Sequence, residues 1–243
     1  MSHTALTLCS YNIHGAVGRD GRLDASRIAA VIAETGADFV ALQEVDHHPV
    51  GDVDLPDYLA SRGDYLYYPG PTLMRDERLF GNALLSCYPA ATVRRIDLSV
   101  PGREPRGAID IEVLTGHGRL RLINTHLGLR PGERRLQVRR LLTHLEAGNN
   151  ADLTLLTGDL NEWFLWGRPI RWLSRHFSPT PSPATFPAAF PLLALDRIWV
   201  TPRRQLLSLA VHNSALARTA SDHLPVCARI DLSPQAASAP PQR

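Results

Sequence analysis

The sequence predicts an α/β fold held in one domain. Short apolar runs of β character alternate with segments of helical periodicity. A central block of strands is punctuated by Pro and Gly, as an antiparallel sheet is. The 243 residues are long for one domain, yet within the range of mixed α/β folds and sufficient for a sizeable core.

A first strand covers Ala5 to Asn12. Asp24 suits the N-cap of a helix running to Glu34, and Gly36 stops it. Asp38 to Val45 is the second strand, and the Pro/Gly/Asp-rich stretch from His47 to Gly63 reads as loop with a short helix near Tyr58. Tyr65 to Tyr68, Asn82 to Cys87, Thr92 to Leu98, Ala108 to Leu114 and Leu120 to Thr125 form the antiparallel block. Glu133 to Glu146 is an amphipathic helix with Leu136, Leu141, Leu142 and Leu145 as its apolar stripe. Its Arg134, Arg135, Arg139 and Arg140 read as solvated or intrahelically paired. Leu153 to Leu156 is a buried strand, followed by a long Trp/Pro/Phe-rich excursion from Trp163 to Pro191 with a helix near Ile170 to Arg175. Loops of that length usually carry function. Strands at about Asp196 to Val200, Leu206 to Asn213 and Pro225 to Ile230 complete the domain, set at residues 1–232. The remaining Ala/Ser/Pro-rich residues, 233–243, are expected to be a disordered tail.

All 26 basic side chains are Arg, and the net charge is only +2, which is too little to mark a nucleic-acid binder. The absence of Lys reads as a coding bias, although the planar guanidinium also suits phosphates. Three cysteines, Cys9, Cys87 and Cys227, lie far apart in apolar runs and are expected to be buried, reduced thiols, with neither a disulfide framework nor a zinc site. No charged leader or membrane-length apolar stretch is visible, so a cytoplasmic location is expected.

Several apolar runs end in polar groups able to grip a metal and a phosphate. They are Leu8-Cys9-Ser10-Tyr11-Asn12, Leu42-Gln43-Glu44, Thr125-His126, Gly158-Asp159-Leu160-Asn161, Leu195-Asp196-Arg197-Ile198 and Ser221-Asp222-His223. Oxygen donors of this kind suit a hard divalent ion. Each motif alone has a plain structural reading, since an Asp after Gly is commonly a turn residue and a lone Asn ends a strand. Six in this order are identified as resembling the endonuclease/exonuclease/phosphatase superfamily, from about Thr7 to Ile230.

The resemblance implies a four-layer sandwich of two mixed β-sheets flanked by helices, and a metal-dependent phosphoester hydrolase. Glu44, with Asn12 and Asp222, is implied to hold Mg²⁺, with Mn²⁺ as an alternative. Asp159 would orient or deprotonate water, Asn161 would hold a phosphoryl oxygen, and His126 would donate to a non-bridging oxygen. Asp196 would orient His223, while Asn12 and Arg106 would contact substrate. Both imidazoles are expected to titrate near ~6.5, shifted in a direction that the sequence does not fix.

A phosphodiesterase acting on a small or lipid phosphodiester is the favoured reading. A DNase-like nuclease and a non-catalytic binding module of the same fold are the alternatives. His14 stands where the abasic-site nuclease branch has Asp, which argues against DNA repair. The expected partner is a phosphoester substrate, with transient membrane-surface contact allowed, nucleic acid disfavoured and no obligate protein partner evident. Asp46-His47-His48 resembles a metal cluster, but neighbours on an extended chain point to opposite sides. Phe186 reads as core, and Trp163 and Trp166 are left open between core and an aromatic substrate wall.

Overall fold

The computed structural model describes residues 4–147 and 151–233. Its elements in chain order are β1 (Ala5–Asn12), α1 (Ala25–Thr35), β2 (Phe39–Asp46), β3 (Pro49–Val50), β4 (Val53–Asp54), α2 (Leu55–Arg62), β5 (Leu66–Arg75), β6 (Arg78–Ser86), β7 (Ala90–Asp97), β8 (Gly107–Thr115), β9 (Gly118–His126), α3 (Pro131–Glu146), β10 (Leu153–Asp159), α4 (Arg168–Phe177), β11 (Asp196–Thr201), β12 (Leu206–Val211), α5 (Ala217–Ala220) and β13 (Val226–Asp231). They build one sheet in the order β12-β13-β1-β2-β6-β5 and another in the order β11-β10-β9-β8-β7, with β3 and β4 as a separate small hairpin. This is the expected four-layer sandwich. The tail expectation falls, from residue 234 onward, outside the described residues.

Each sheet is antiparallel except for one central parallel pair, β1 with β2 and β9 with β10. Parallel neighbours need a long crossover. These crossovers carry α1 and α3. Asp24 caps α1 by accepting from the Ser26 amide, and Gly36 ends it in the left-handed region at φ 56°. Leu6, Leu8, Phe39, Leu84, Ile111, Leu122, Leu155, Ile198 and Ala228 fill the space between the sheets. Ile28, Val31, Leu55 and Leu59 cover the outside of the first sheet, and Val138, Leu141, Leu145, Leu173 and Phe177 cover the second.

Several local expectations are corrected. The first two members of the antiparallel block are longer than expected, because β5 and β6 form a continuous hairpin through Asp76-Glu77 at φ 49° and 64°. A two-residue turn with both φ values positive normally announces itself with Gly or Asn, and here it does not. On α3, Leu136 is exposed and Arg134 is buried against Glu162, so the buried face is rotated from the expected stripe. Cys9 and Cys227 are cross-strand neighbours on β1 and β13, with Cys227 half-buried, whereas Cys87 is exposed just beyond the end of β6.

One glycine fixes the geometry of the second sheet. Gly158 has φ 139°, and a Cβ there would lie 1.8 Å from the Thr125 carbonyl oxygen of β9. Gly158→Ala is therefore expected to push β10 from β9 and destabilise the protein by at least ~2 kcal/mol, read as a lowered urea midpoint at unchanged slope.

Candidate active site

Period-two alternation carries the inner face of each strand from apolar core to polar site. On β1 the inward positions run Leu6, Leu8, Ser10, Asn12; on β9, Leu120, Leu122, Asn124, His126; on β10, Leu153, Leu155, Thr157, Asp159. Register does the rest. His126 pairs with Asp159 across β9 and β10, and Asp159 with Asp196 across β10 and β11. In the other sheet Asn12 pairs with Gln43.

Glu44 reaches the site by a different device. Between Leu42 and Val45 the β2–β6 register gains one residue on β2, and Glu44 takes φ 55°. This bulge re-aims Glu44 into the cleft, while Val45 returns to the outer core. A non-glycine residue held in that region stores backbone strain, as functional sites often do.

The Asn12 amide nitrogen donates to Glu44 Oε1 at 3.0 Å and to Asp159 Oδ2 at 3.1 Å, while its oxygen accepts from the His14 amide. Two carboxylates thus share one neutral donor. Asp159 Oδ1 accepts from the Asn161 amide at 2.8 Å, and Asn161, at φ 50°, donates from Nδ2 to the Leu127 carbonyl. The Ser221 hydroxyl donates to the Asn12 carbonyl and accepts from the His223 amide, which pins the last motif to the end of β1. Asp222, half-buried, faces the same cleft of about 390 Å³ as Glu44, Arg106, His126, Asp159, Asn161 and His223.

The two histidines are driven in opposite directions. Burial, aided by the cations of Arg106 and His223 and only partly opposed by Asp159, lowers the His126 pKa to about 3. Its Nδ1 faces Arg106 Nη1 and its Nε2 faces Asn161 Nδ2, each at 3.0 Å, and both of these groups only donate, so the neutral ring is held between two donors. Its Nε2 also lies 3.6 Å from Asp159 Oδ2. Burial also opposes charge on His223, but the carboxylates of Asp196, Asp159 and Asp222 outweigh it and raise its pKa to about 10. Its Nδ1 lies 2.8 Å from Asp196 Oδ2, and its Nε2 lies 3.7 Å from Asp159 Oδ2.

The structure thus brings all the sequence-predicted residues together: Asn12, Glu44, Arg106, His126, Asp159, Asn161, Asp222 and His223 meet in one site, and Asp196 stands directly behind His223. The sequence reading missed Thr185, whose hydroxyl donates to the same Asp196 oxygen that His223 contacts. Phe186 is not simple core, because its ring lies 4.8 Å from the His223 ring and lines the cleft. Trp163 also lines the cleft and is exposed, as is Trp166. Asp46, His47 and His48 do not form a ligand set, since Asp46 pairs with Arg78 and His47 with Tyr67 and Asp54.

The residues fit a divalent cation. Glu44, Asp159 and Asp222 present hard oxygen donors, no cysteine lines the cleft, and the cationic groups lining it are Arg75, Arg106 and His223. Asp159, Asp196 and His223 offer ligand atoms within 4.8 Å of one another. Asp196 is fully buried and meets both Thr185 and His223 through Oδ2, while its Oδ1 has no hydrogen-bond partner among the described residues.

These shifts have opposite consequences for stability. His126 binds a proton more readily when unfolded, so it withdraws stability as pH falls below ~6.5 towards about 3. The contribution of His223 is full below ~6.5 and fades as pH rises towards about 10. In EDTA-treated protein, imidazole ¹⁵N spectra between pH 5 and 8 are expected to show neutral His126 and protonated His223 throughout. Asp196→Asn is expected to bring the His223 titration down. Two ordinary titrations near ~6.5 contradict the assignment.

Comparison with known proteins agrees with the geometry. The chain is 32% identical over 245 residues to the uncharacterized protein YbhP of Escherichia coli (strain K12), covering 91% of this chain and 94% of the relative. Its fold is similar to that of an endonuclease/exonuclease/phosphatase from Beutenbergia cavernae (TM-score 0.77, 24% identity, 95% of this chain and 72% of that one). It is also similar to the human Nocturnin catalytic domain with bound sulfate (TM-score 0.69, 18% identity, 94% of each chain). The model of the Endonuclease/Exonuclease/phosphatase family matches residues 9–223, and the chain belongs to that family.

Proposed function

We propose that this protein is a divalent-metal-dependent phosphodiesterase that acts on a small or lipid phosphodiester, with Mg²⁺ or Mn²⁺ as its ion. The observation that carries the reading is the shared floor of the cleft. There Glu44 and Asp159 meet at the Asn12 amide while a neutral His126 and a charged His223 flank Asp159.

Glu44 and Asp222 would hold the ion, which neutralises charge on the phosphoryl oxygens and on the departing oxygen. Asn12 keeps the two carboxylates together through its amide nitrogen. Asp159, held through Oδ1 by the Asn161 amide and through Oδ2 by the Asn12 side chain, would align a water with the remaining lone pair of Oδ2 and take its proton. Neutral His126, gripped between the donors Arg106 and Asn161, would turn a ring N–H to a non-bridging oxygen as charge accumulates there. His223, charged and aligned by Asp196, presents a cation to the phosphate. Because Arg106 contacts the His126 ring, its loss should change the imidazole ¹⁵N spectrum as well as the rate.

The polar floor adjoins an apolar mouth containing Leu129, Trp163, Phe186 and Leu193. Such walls suit an organic substituent beside the phosphate better than a solvated nucleic-acid backbone. The net charge of +2 also lacks the basic footprint of a dedicated nuclease.

The test is hydrolysis of bis-p-nitrophenyl phosphate with Mg²⁺ or Mn²⁺. Asp159→Asn is expected to lower kcat by ~10²- to 10⁴-fold while circular dichroism stays unchanged. Glu44→Gln should raise the metal concentration needed for half-maximal rate. Wild-type rates in Asp159→Asn, or no hydrolysis by the wild type with any divalent ion, overturn the reading.

A further inference from the structure

The surface around the cleft mouth carries large apolar side chains that none of the described residues covers. Trp163, Phe164, Leu165 and Trp166 follow one another directly after the site residue Asn161 and the buried Glu162, and all are exposed, Trp166 by 71%. A second loop exposes Phe190 by 71% and Leu192 by 67%. Trp163 and Leu129 line the cleft from the first side, and Phe186 and Leu193, at the base of the second loop, line it as well. Clusters of large exposed apolar side chains mark interaction surfaces.

Both loops are held from beneath. The buried Arg134–Glu162 pair, 3.2 Å apart, joins the first loop and the Leu129 segment to α3: Glu162 accepts from the Phe164 amide, and Arg134 donates to the Leu129 carbonyl at 2.6 Å. Gly167 N–H closes a turn on the Phe164 carbonyl. In the second loop the amides of Leu192 and Leu193 donate to the Phe186 carbonyl, and the Ala188 amide donates to the Asp222 carbonyl. The apolar side chains are therefore presented on a braced backbone with much of its hydrogen bonding internal, as entry into an apolar phase demands.

Charge identifies the partner. Residues 163–195 contain no Asp or Glu. Directly behind the Trp-rich turn, α4 exposes Arg168, Arg171 and Arg175, which line one shallow cleft with Trp172 and make no ion pair among the described residues. A rim of Trp, Phe and Leu backed by unpaired Arg matches the two layers of an anionic bilayer surface, acyl chains below and phosphates above. A single-stranded nucleic acid would stack on the aromatic rings but leave Leu129, Leu165 and Leu192 in water.

We infer that the Trp163–Trp166 turn, the Phe190–Leu192 loop and the arginines of α4 form a docking surface for anionic phospholipid bilayers, placing the cleft mouth at the head-group layer. This rests on the phosphodiesterase reading only for its consequence, delivery of lipid phosphodiesters to the cleft; the docking itself does not.

Binding is measured on the full chain in EDTA, by co-sedimentation with vesicles of phosphatidylcholine alone or mixed with phosphatidylglycerol, and by quenching of Trp fluorescence with brominated acyl chains. Tight binding to the mixed vesicles, weak binding to phosphatidylcholine and bromine quenching are expected. Arg168, Arg171 and Arg175 changed together to Gln should weaken binding to mixed vesicles on the order of 100-fold. Leu165→Ser with Trp166→Ser should abolish most of the quenching. Both variants should hydrolyse bis-p-nitrophenyl phosphate like wild type, which shows that they are folded.

Absence of vesicle binding overturns the docking surface, whatever the hydrolytic result. So does tighter binding of single-stranded DNA or RNA that displaces the vesicles, or a dimer in solution that Trp166→Ser dissolves. Vesicle binding without hydrolysis of any phosphodiester leaves the docking surface standing and removes the phosphodiesterase reading.

Discussion

Parallel pairing at the centre of each sheet is the constraint on which the site depends. β1 and β2 must end on the same side, and so must β9 and β10, because each pair is joined by a helical crossover. Facing the sheets then sets four strand ends around one space. Asn12, Glu44, His126 and Asp159 meet there although Asn12 and Asp159 are 147 positions apart in sequence. The antiparallel neighbours β11 and β13 bring Asp196 at the start of one strand and His223 just before the other. No loop has to fold back to complete the constellation.

The interior behind the site is polar in a controlled way. Gln43 donates to Asn124 Oδ1 at 2.7 Å and to Ser10 Oγ at 3.2 Å, and Asn124 donates to the carbonyls of Leu42 and Ala83. These groups are fully buried. Gln43 Oε1 alone among these side-chain atoms has no partner among the described residues; the others, paired across the two sheets, fix the lateral register of the sandwich where the site needs it. Gly158 acts in the same direction, since its missing Cβ lets β10 approach β9 closely enough to set Asp159 beside His126.

Much of this was legible in the sequence, and the misses have physical causes. Asn12, His126 and Asp159 could be read because each ends a run whose inward positions alternate by two, and order along the chain supplied what spacing lacked. Glu44 was legible as a residue type but not as a geometry. Ordinary alternation puts it on the face of Val40 and Leu42, and only the bulge turns it to the cleft. Arg134 was misread because an exposed Arg-rich helix face has the same local pattern as one whose single Arg meets a buried carboxylate 28 residues away. Phe186 was read as core and Thr185 was not singled out, because local pattern holds no trace of their setting. Their roles arise from the bonds of the second excursion loop to Leu193, Asp222 and Leu224.

The charged floor and the apolar rim are parts of one arrangement. Electrostatic interactions in the cleft strengthen as water is excluded, since the effective dielectric falls. Half-exposed, the carboxylate of Glu44 is partly screened, whereas Asp159, His126 and His223 are already buried. A hydrophobic substituent packed against Leu129, Trp163, Phe186 and Leu193 would remove the remaining water from the side where the cleft is open. The cost of desolvating Glu44 is tolerable only with a counter-charge beside it, and the shared Asn12 amide provides none. The same geometry that calls for an apolar cover over the phosphate therefore also calls for a cation beneath it. A substrate lacking such a cover would leave Glu44 in a wetter, weaker field, so rate should follow the hydrophobicity of the group beside the phosphate more than its charge.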